Sequence, residues 1–443
     1  MKNYIFIFAF VVLFCGASDN LERKNQEQTT TAMNARATSV FVSDNDVYIT
    51  GYQLNDNDEK VNALWKLFVD QNNISKDNIQ KYNEFYSNNR EIVAKLWKNG
   101  IAQDLSDGDK QNFALSVFVS GNDVYVAGCE NTGNQGYKVA NNLYITTHIA
   151  KLWKNGIAQN LCNNKSLFST ASSVFVLNKD VYVAGYEVLQ SKKNQDTFNR
   201  VARLWKNEKK QNLSHENGYA NSVFVSGNNV YLAGCGEYFN SSTGEIIYYA
   251  ALWINGLKHN LTSENKRSAA HSVFVSGDDV FVAGIEYVPP DFSRKKPVLW
   301  KNGIAQYLNC DSICNLMSDF VDGTANSVKV TEDGNVYVTG FVCNSDRKHA
   351  VLWKNGVLEQ IFDDKGVFLN GTNIIESYNS LFISEKDVYV PGNNDFCAVF
   401  WKNGAMHTLS EKPTVFSSYH LHSILMETII KKNNKQPANS LQK

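Results

Sequence analysis

Short apolar runs separated by turn residues organise this chain, and helical stripes are missing from them. From Ser39 onward, runs rich in Val, Phe and Tyr last three to five residues, and apolar side chains do not recur in them at helical spacing. The runs fall into one phrase, SVFVSDNDVYITG at Ser39. It returns with small changes at Ser116, Ser173, Ser222, Ser272, Ser327 (SVKVTEDGNVYVTG) and Ser380, seven copies in all. After each comes a variable stretch and then a tryptophan: Trp97, Trp153, Trp205, Trp253, Trp300, Trp353 and Trp401. The octapeptide LWKNGIAQ stands unchanged at Leu96–Gln103, Leu152–Gln159 and Leu299–Gln306. Copies begin about 50 to 60 residues apart after the first, a period that belongs to solenoids, propellers and arrays.

Each unit predicts four strands. VFV and VYVAG are β-branched and aromatic, with SGND-type turn residues between them, and form strands one and two. VAKLW ends at Asn-Gly, whose residues accept the positive φ of a type I′ hairpin turn, and IAQNL follows as its partner. Consecutive apolar positions imply sheets buried on both faces, which radial packing of blades around an axis provides. The chain therefore predicts an all-β fold, a β-propeller of seven four-stranded blades. An alternative of eight blades stays open, because FYSNNREIVA at Phe85–Ala94 echoes FVSGNDVYVA; the preferred reading is an insertion into blade one. For ring closure, HSILME at His422–Glu427 echoes strand one. Either it or the Ser39 strand would complete a blade begun at the opposite end of the chain. The repeated tryptophan, a large flat side chain at one place in every unit, is expected to fill the gap between adjacent blades.

With a glycine after strand two and a tryptophan on strand three, residues 38 to about 409 resemble the repeat-built bacterial β-propellers of exported and surface proteins, in a Kelch-like manner. The chain departs from the Kelch pattern in lacking a double glycine at the end of strand two. The resemblance implies an architecture; no catalytic residue carries over with it.

The N-terminus adds an address. MKNYIFIFAFVVLFCGAS places Lys2 before an apolar run too short to span a bilayer, which reads as a secretory signal over residues 1–17. Cleavage after Ala17 and lipid attachment at Cys15 are both open, although Phe14 departs from the small residue usual before a lipidated cysteine. A flexible tether (18–37), the propeller (38–428) and a disordered C-terminal tail (429–443) are expected to follow. The protein would then be periplasmic, on the outer membrane or cell surface, or secreted, touching a membrane only through a lipid anchor, and monomeric.

Charge narrows the partners. Lys+Arg 43 against Asp+Glu 44 leaves a net charge of −1, so no basic field exists to hold nucleic acid. The seven cysteines beyond Cys15 allow disulfides without requiring them, and the pair Cys310 and Cys314 lacks a second ligand pair for zinc. There is no HExxH, no GxSxG elbow and no phosphate-cradling loop, so neither a metal nor a cofactor is expected. His420 and His422 suit ring closure better than a metal site. The recurring Asp46, Asp123, Asp180, Asp279 and Asp387, replaced by Asn229 and Asn335, suit a turn role and not ionisation.

Turn lengths sort the two faces of the disc. The one–two and three–four turns hardly vary, whereas the two–three connections do, so the long loops gather on one face, where repeat proteins place binding surfaces. Tyr, Asn, Ser and Gly dominate those loops. Tyr238, Phe239, Tyr249, Tyr287, Asp291 and Arg294 form the candidate ligand-binding patch, with Tyr82, Phe85 and Tyr86 of the blade-one insertion on the same side. The reading that follows is an exported, non-enzymatic protein recognising a protein or glycan ligand. The alternative is a propeller enzyme, a hydrolase or lyase acting on polysaccharide.

Overall fold

A computed structural model describes residues 34–55, 91–107, 111–132, 137–140, 143–145, 147–162, 166–190, 198–214, 217–289, 292, 294–309, 322–343, 347–361, 367–368, 380–384, 387–394 and 397–409. Every regular element among them is a strand. Seven antiparallel sheets, each built on four strands that neighbour one another in chain order, form the seven blades of a β-propeller. Blade one runs Asn34–Ser43, Asp46–Asn55, Glu91–Lys98 and Ile101–Asp104. Blade four is the most extended: Gly218–Ser226, Asn229–Asn240, Glu245–Ile254 and Leu257–Asn260. Blade two carries an added hairpin, Tyr137–Ala140 with Leu143–Ile145, inside its two–three connection. In blade six Val367–Phe368 joins strand three as a fifth strand.

Strand one is innermost, and its side chains draw the axis. Phe41, Phe118, Phe175, Phe224 and Phe274 follow one another with ring centroids 4.7–4.9 Å apart, and Phe382 lies 4.7 Å from Phe41. Successive ring planes differ by 50–54°. One seventh of a turn is about 51°, so the rings are related by the seven-fold rotation of the disc and stand nearly parallel to its axis.

The serine that opens each phrase is a clasp between blades. The backbone N–H of Val117 donates to Ser39 Oγ, Val174 to Ser116, Val223 to Ser173, Val273 to Ser222, Val328 to Ser272, Leu381 to Ser327 and Val40 to Ser380, at 2.8–3.3 Å. The last of these closes the ring. Among the described residues no strand crosses over: the Ser39 strand pairs with Asp46–Asn55 of its own blade, and blade one meets blade seven through side chains. Strand exchange involving the Ser39 strand is therefore corrected, while His422–Glu427 lies outside the described residues. Closure by side chains suffices because each blade already pairs its own inner strands, leaving only packing to be completed. The third strand Glu91–Lys98 joins blade one, as the insertion reading requires, and Phe85–Arg90 lies outside the described residues.

The tryptophans are core. Trp153, Trp205, Trp253, Trp300 and Trp353 are fully buried, and Trp253 packs with Tyr182, Ala184 and Leu204 of the preceding blade. The glycine ending strand two answers to a bulge in strand one. In blades one to six the ladder slips by a residue just before the serine, for example between Ala220 and Ser222, and brings a carbonyl against the glycine. A Cβ on Gly234 would stand 2.0 Å from the Tyr219 oxygen, so no larger residue fits.

The three–four turns have the predicted left-handed pair, with Asn155 at φ 52° and Gly156 at φ 80°. Each turn asparagine also ties this turn to the neighbouring one–two hairpin. Asn155 Oδ1 accepts from the Val124 N–H (2.8 Å), and its Nδ2 donates to Asp123 Oδ1 (2.8 Å). Lys154 Nζ sits 2.8 Å from the other Asp123 oxygen. The same arrangement recurs at Asp46, Asp180, Asp279 and Asp387. These aspartates are thus ionised partners, a correction to the turn-only reading. The lysine and asparagine bonds hold their carboxyls below the usual range. Asn229 and Asn335 keep the asparagine bond without the charge.

Candidate functional site

The loop face is where the blades stop resembling one another. Beyond the bulge, strand ends of blades one to four carry an arc of aromatic side chains. Tyr52 meets Phe113 (5.0 Å between centroids), Phe113 meets His148 (5.9 Å) and His148 meets Phe168 (5.1 Å). The arc continues from Phe168 to Tyr186 (5.7 Å), Tyr219 (6.0 Å further) and Tyr248 (5.9 Å beyond). At the places held by Phe113 and Tyr219, blades five and six have Ala269 and Thr324, so these two positions are not aromatic there.

Arg200 occupies the far end of this arc. It stands on strand three of blade three, opposite Val188, with its guanidinium carbon 5.4, 5.3 and 5.5 Å from the ring centroids of Tyr186, Tyr219 and Tyr248. Three aromatic faces around one cation are a favourable electrostatic setting. Its Nε is buried and makes no hydrogen bond among the described residues. Glu237, opposite Tyr248 in the ladder, is the neighbouring anion. Burial pushes its carboxyl up to about 7, with the charge of Arg200 pulling the other way. Burial likewise raises the Tyr248 hydroxyl to about 12, so it stays a neutral donor.

Next to this cluster the blade-four hairpin projects. Phe239 is 62% exposed and pairs across the ladder with Ile246, 44% exposed, and Tyr238 is 36% exposed. On blade five, Tyr287 is half-buried under Lys295, whose Nζ is 5.8 Å from its ring, and Arg294 is exposed at the start of strand three. Tyr238, Phe239, Tyr287 and Arg294 thus lie on adjacent blades of one face. Asp291, Tyr82, Phe85, Tyr86 and Cys15 lie outside the described residues.

Tyr249 is placed elsewhere, and the reason is local. It is 1% exposed, and its ring fills the space over Gly236, where a Cβ would come 2.5 Å from the phenol oxygen. At the place of Gly236 the neighbouring blades have Glu187 and Glu286, each buried with cations. Glu187 receives Arg203, Lys210 (2.7 Å) and the Ser166 hydroxyl (2.9 Å), and Glu286 receives Lys266 (2.5 Å) and the Tyr307 hydroxyl (2.6 Å). In blade four the Tyr249 hydroxyl takes the place of the missing carboxylate and accepts from Lys258 at 2.7 Å. It is an interior member of the blade, set apart from the exposed Tyr238 and Phe239.

The long loops drew attention to the face that carries the arc, and the arc itself sits at strand ends. Its signal was available: Tyr52 and Tyr186 directly follow the strand-two glycine, and Phe113 and Tyr219 stand three residues before the serine. Among the described residues no group of three or more His, Cys, Asp or Glu could hold a metal. Among the described residues Cys129, Cys162 and Cys235 are in no disulfide; burial pushes the Cys129 and Cys235 thiols up to about 12, which keeps them unreactive.

No protein-family model matches the sequence, and no curated protein matches it. Among solved structures, the chain is similar to an acylaminoacyl peptidase of Pyrococcus horikoshii at 12% identity and TM-score 0.44, covering 86% of this chain and 52% of that one. It is also similar to a mutant sialidase of Trypanosoma rangeli displaying trans-sialidase activity, at 10% identity and TM-score 0.34, over 96% and 61% of the two chains. A third is a β-fructofuranosidase of Bombyx mori, at 9% identity and TM-score 0.29, over 87% and 86%. The chain spans about half the length of the peptidase.

Proposed function

We propose that this protein is a non-enzymatic binding module, exported or attached at the cell surface, whose loop face recognises a protein or glycan ligand. The Kelch-like repeat serves as its scaffold. One observation carries the reading: Arg200, whose Nε is unbonded among the described residues, is held among three tyrosine faces beside the exposed Tyr238 and Phe239. Rigid aromatic area next to a positioned guanidinium is the composition of binding hot spots. A glycan array and an affinity pull-down with the wild-type chain and with Arg200→Ala and Phe239→Ser test it. Retention of the same ligand at full strength by both variants refutes the loop-face site.

The polysaccharide-degrading alternative draws on Glu237, whose carboxyl near 7 has the property of a general acid. Hydrolysis also needs a second carboxylate, roughly 5 to 10 Å away. Glu237→Gln separates the two readings: it abolishes turnover of a polysaccharide by an enzyme, and it leaves ligand capture by a binding module in place.

A further inference from the structure

The axial collar breaks its own symmetry once. Six of its seven positions hold phenylalanine, and the seventh, in blade six, holds Lys329. Lys329 occupies the third place of SVKV and pairs across the ladder with Tyr337, as Phe274 pairs with Phe281 in blade five. Its Nζ lies 5.0 Å from the Phe274 centroid. On its other side, Leu381 is fastened to Ser327, which brings Phe382 to the next position of the ring. Among the described residues Lys329 has no carboxylate partner. The Tyr337 ring across the ladder carries Lys354 Nζ at 5.4 Å, a second cation.

The collar is open at this level. All six phenylalanines and Lys329 remain partly exposed, although they sit at the centre of the disc. Centroids 4.7–4.9 Å apart on a seven-sided ring lie on a circle of roughly 5.5 Å radius; subtracting the half-width of a ring, about 1.4 Å, and half a van der Waals contact leaves an opening of roughly 2–2.5 Å radius. A polymethylene chain, roughly 2 Å in radius, passes such an opening, and a sugar ring does not. The wall is then apolar on six sides and cationic on one.

We propose that the axial collar is a binding site for an aliphatic monocarboxylate, with the carboxylate paired to Lys329 Nζ and the alkyl chain lying along the phenylalanine rings. An ammonium ion held among aromatic side chains gains a cation–π contact but keeps an unmet demand for an anion, which a carboxylate meets with a charge-assisted hydrogen bond. The chain of such a ligand removes the phenylalanine faces from water. This site is separate from the loop face and stands or falls without it. Burial pulls the amine down to about 8, so it is still largely protonated at pH 7 and loses its charge just above.

Isothermal titration calorimetry on the full chain tests the assignment with hexanoate, 1-hexanol and hexylamine as probes at pH 7. The expected result is one hexanoate per chain, bound at least about tenfold more tightly than hexylamine. Lys329→Met, which keeps an unbranched side chain of similar length, should weaken hexanoate at least about tenfold and leave hexanol unchanged. A second measurement needs no variant: wild-type affinity for hexanoate should fall as pH rises from 7 to 10, following the amine. Absence of hexanoate binding, equal affinity in wild type and Lys329→Met, or an affinity independent of pH across that range overturns the proposal.

Discussion

The two ends of each blade solve the same problem in opposite ways. At the tight-turn end, one set of contacts is repeated around the ring: a left-handed Asn turn, an asparagine bond to the neighbouring hairpin that becomes an Asp–Lys–Asn bridge in five blades, an axial side chain and a serine clasp. At the loop end each blade uses its own interior. Blade three buries Glu187 with Arg203 and Lys210, blade five buries Glu286 with Lys266, and blade four replaces the carboxylate with Tyr249. The comparison teaches that repetition marks what the ring needs in order to close. Departure from repetition marks where a blade is free to do something else.

The sharpest way to break this division is at its boundary, the strand-two glycine. Gly234→Val puts side-chain atoms into the Tyr219 carbonyl and should cost more than about 3 kcal/mol, read as a fall in the urea midpoint or as loss of soluble protein. If the change were tolerated, the bulge would not be an obligatory part of the blade.

Within the irregular half, Glu187→Ala removes the carboxylate that pairs with Arg203, 5% exposed, and with Lys210, and should cost about 3 kcal/mol. Burial alone would raise the Glu187 carboxyl, but Lys210 and Arg203 outweigh it and hold it below its ordinary value. A depressed folded pKa means that the unfolded chain takes up the proton first. The stability it contributes is therefore present above the ordinary carboxylate range and lost as pH falls through the folded value. Denaturation curves at pH 7 and below pH 4 should differ more for wild type than for Glu187→Ala.

Restoring the consensus at the axis tests the regular half from the other direction. Lys329→Phe should stabilise the protein at pH 7 by about 1–3 kcal/mol, because the amine is lowered from its ordinary 10.5 to about 8. Here the unfolded chain holds the proton more tightly, so wild-type stability rises with pH between about 8 and 10.5 and the advantage of the variant shrinks over that window. Thermal melts at pH 7 and 10.5 measure the difference. A smaller gain is expected at the one three–four turn without glycine: Glu208 sits at φ 66°, and Glu208→Gly should add about 1 kcal/mol. Smallest of all, Phe239→Ser on the loop face should change stability by less than about 0.5 kcal/mol, while removing capture of the ligand in the pull-down.

Much of the regular half was legible in the chain of letters. Asn-Gly requires positive φ wherever it occurs, and Val-Phe-Val next to turn residues extends wherever it is placed, so blade number, strand order and the direction of the hairpins follow from local chemistry repeated seven times. The role of the serine was written in every copy, yet it could not be read, because its hydrogen-bond partner belongs to the next unit, about 50 to 60 residues away. The same holds for the recurring aspartate, whose lysine and asparagine partners lie across two hairpins.

The candidate site was legible only as a face. Tyr238 and Phe239 could be nominated from a long, variable loop, and they do stand exposed. Tyr249, on the same hairpin, is buried because one glycine on the facing strand leaves room for its ring. No local pattern announces that an arginine at position 200 will meet tyrosines from two blades, or that a lysine inside a strand will interrupt a ring of phenylalanines. Local propensity and turn chemistry act within a unit and survive in the one-dimensional text. Contacts between units depend on closing the ring, and only the closed ring decides which side chains share a cavity, a charge or a face.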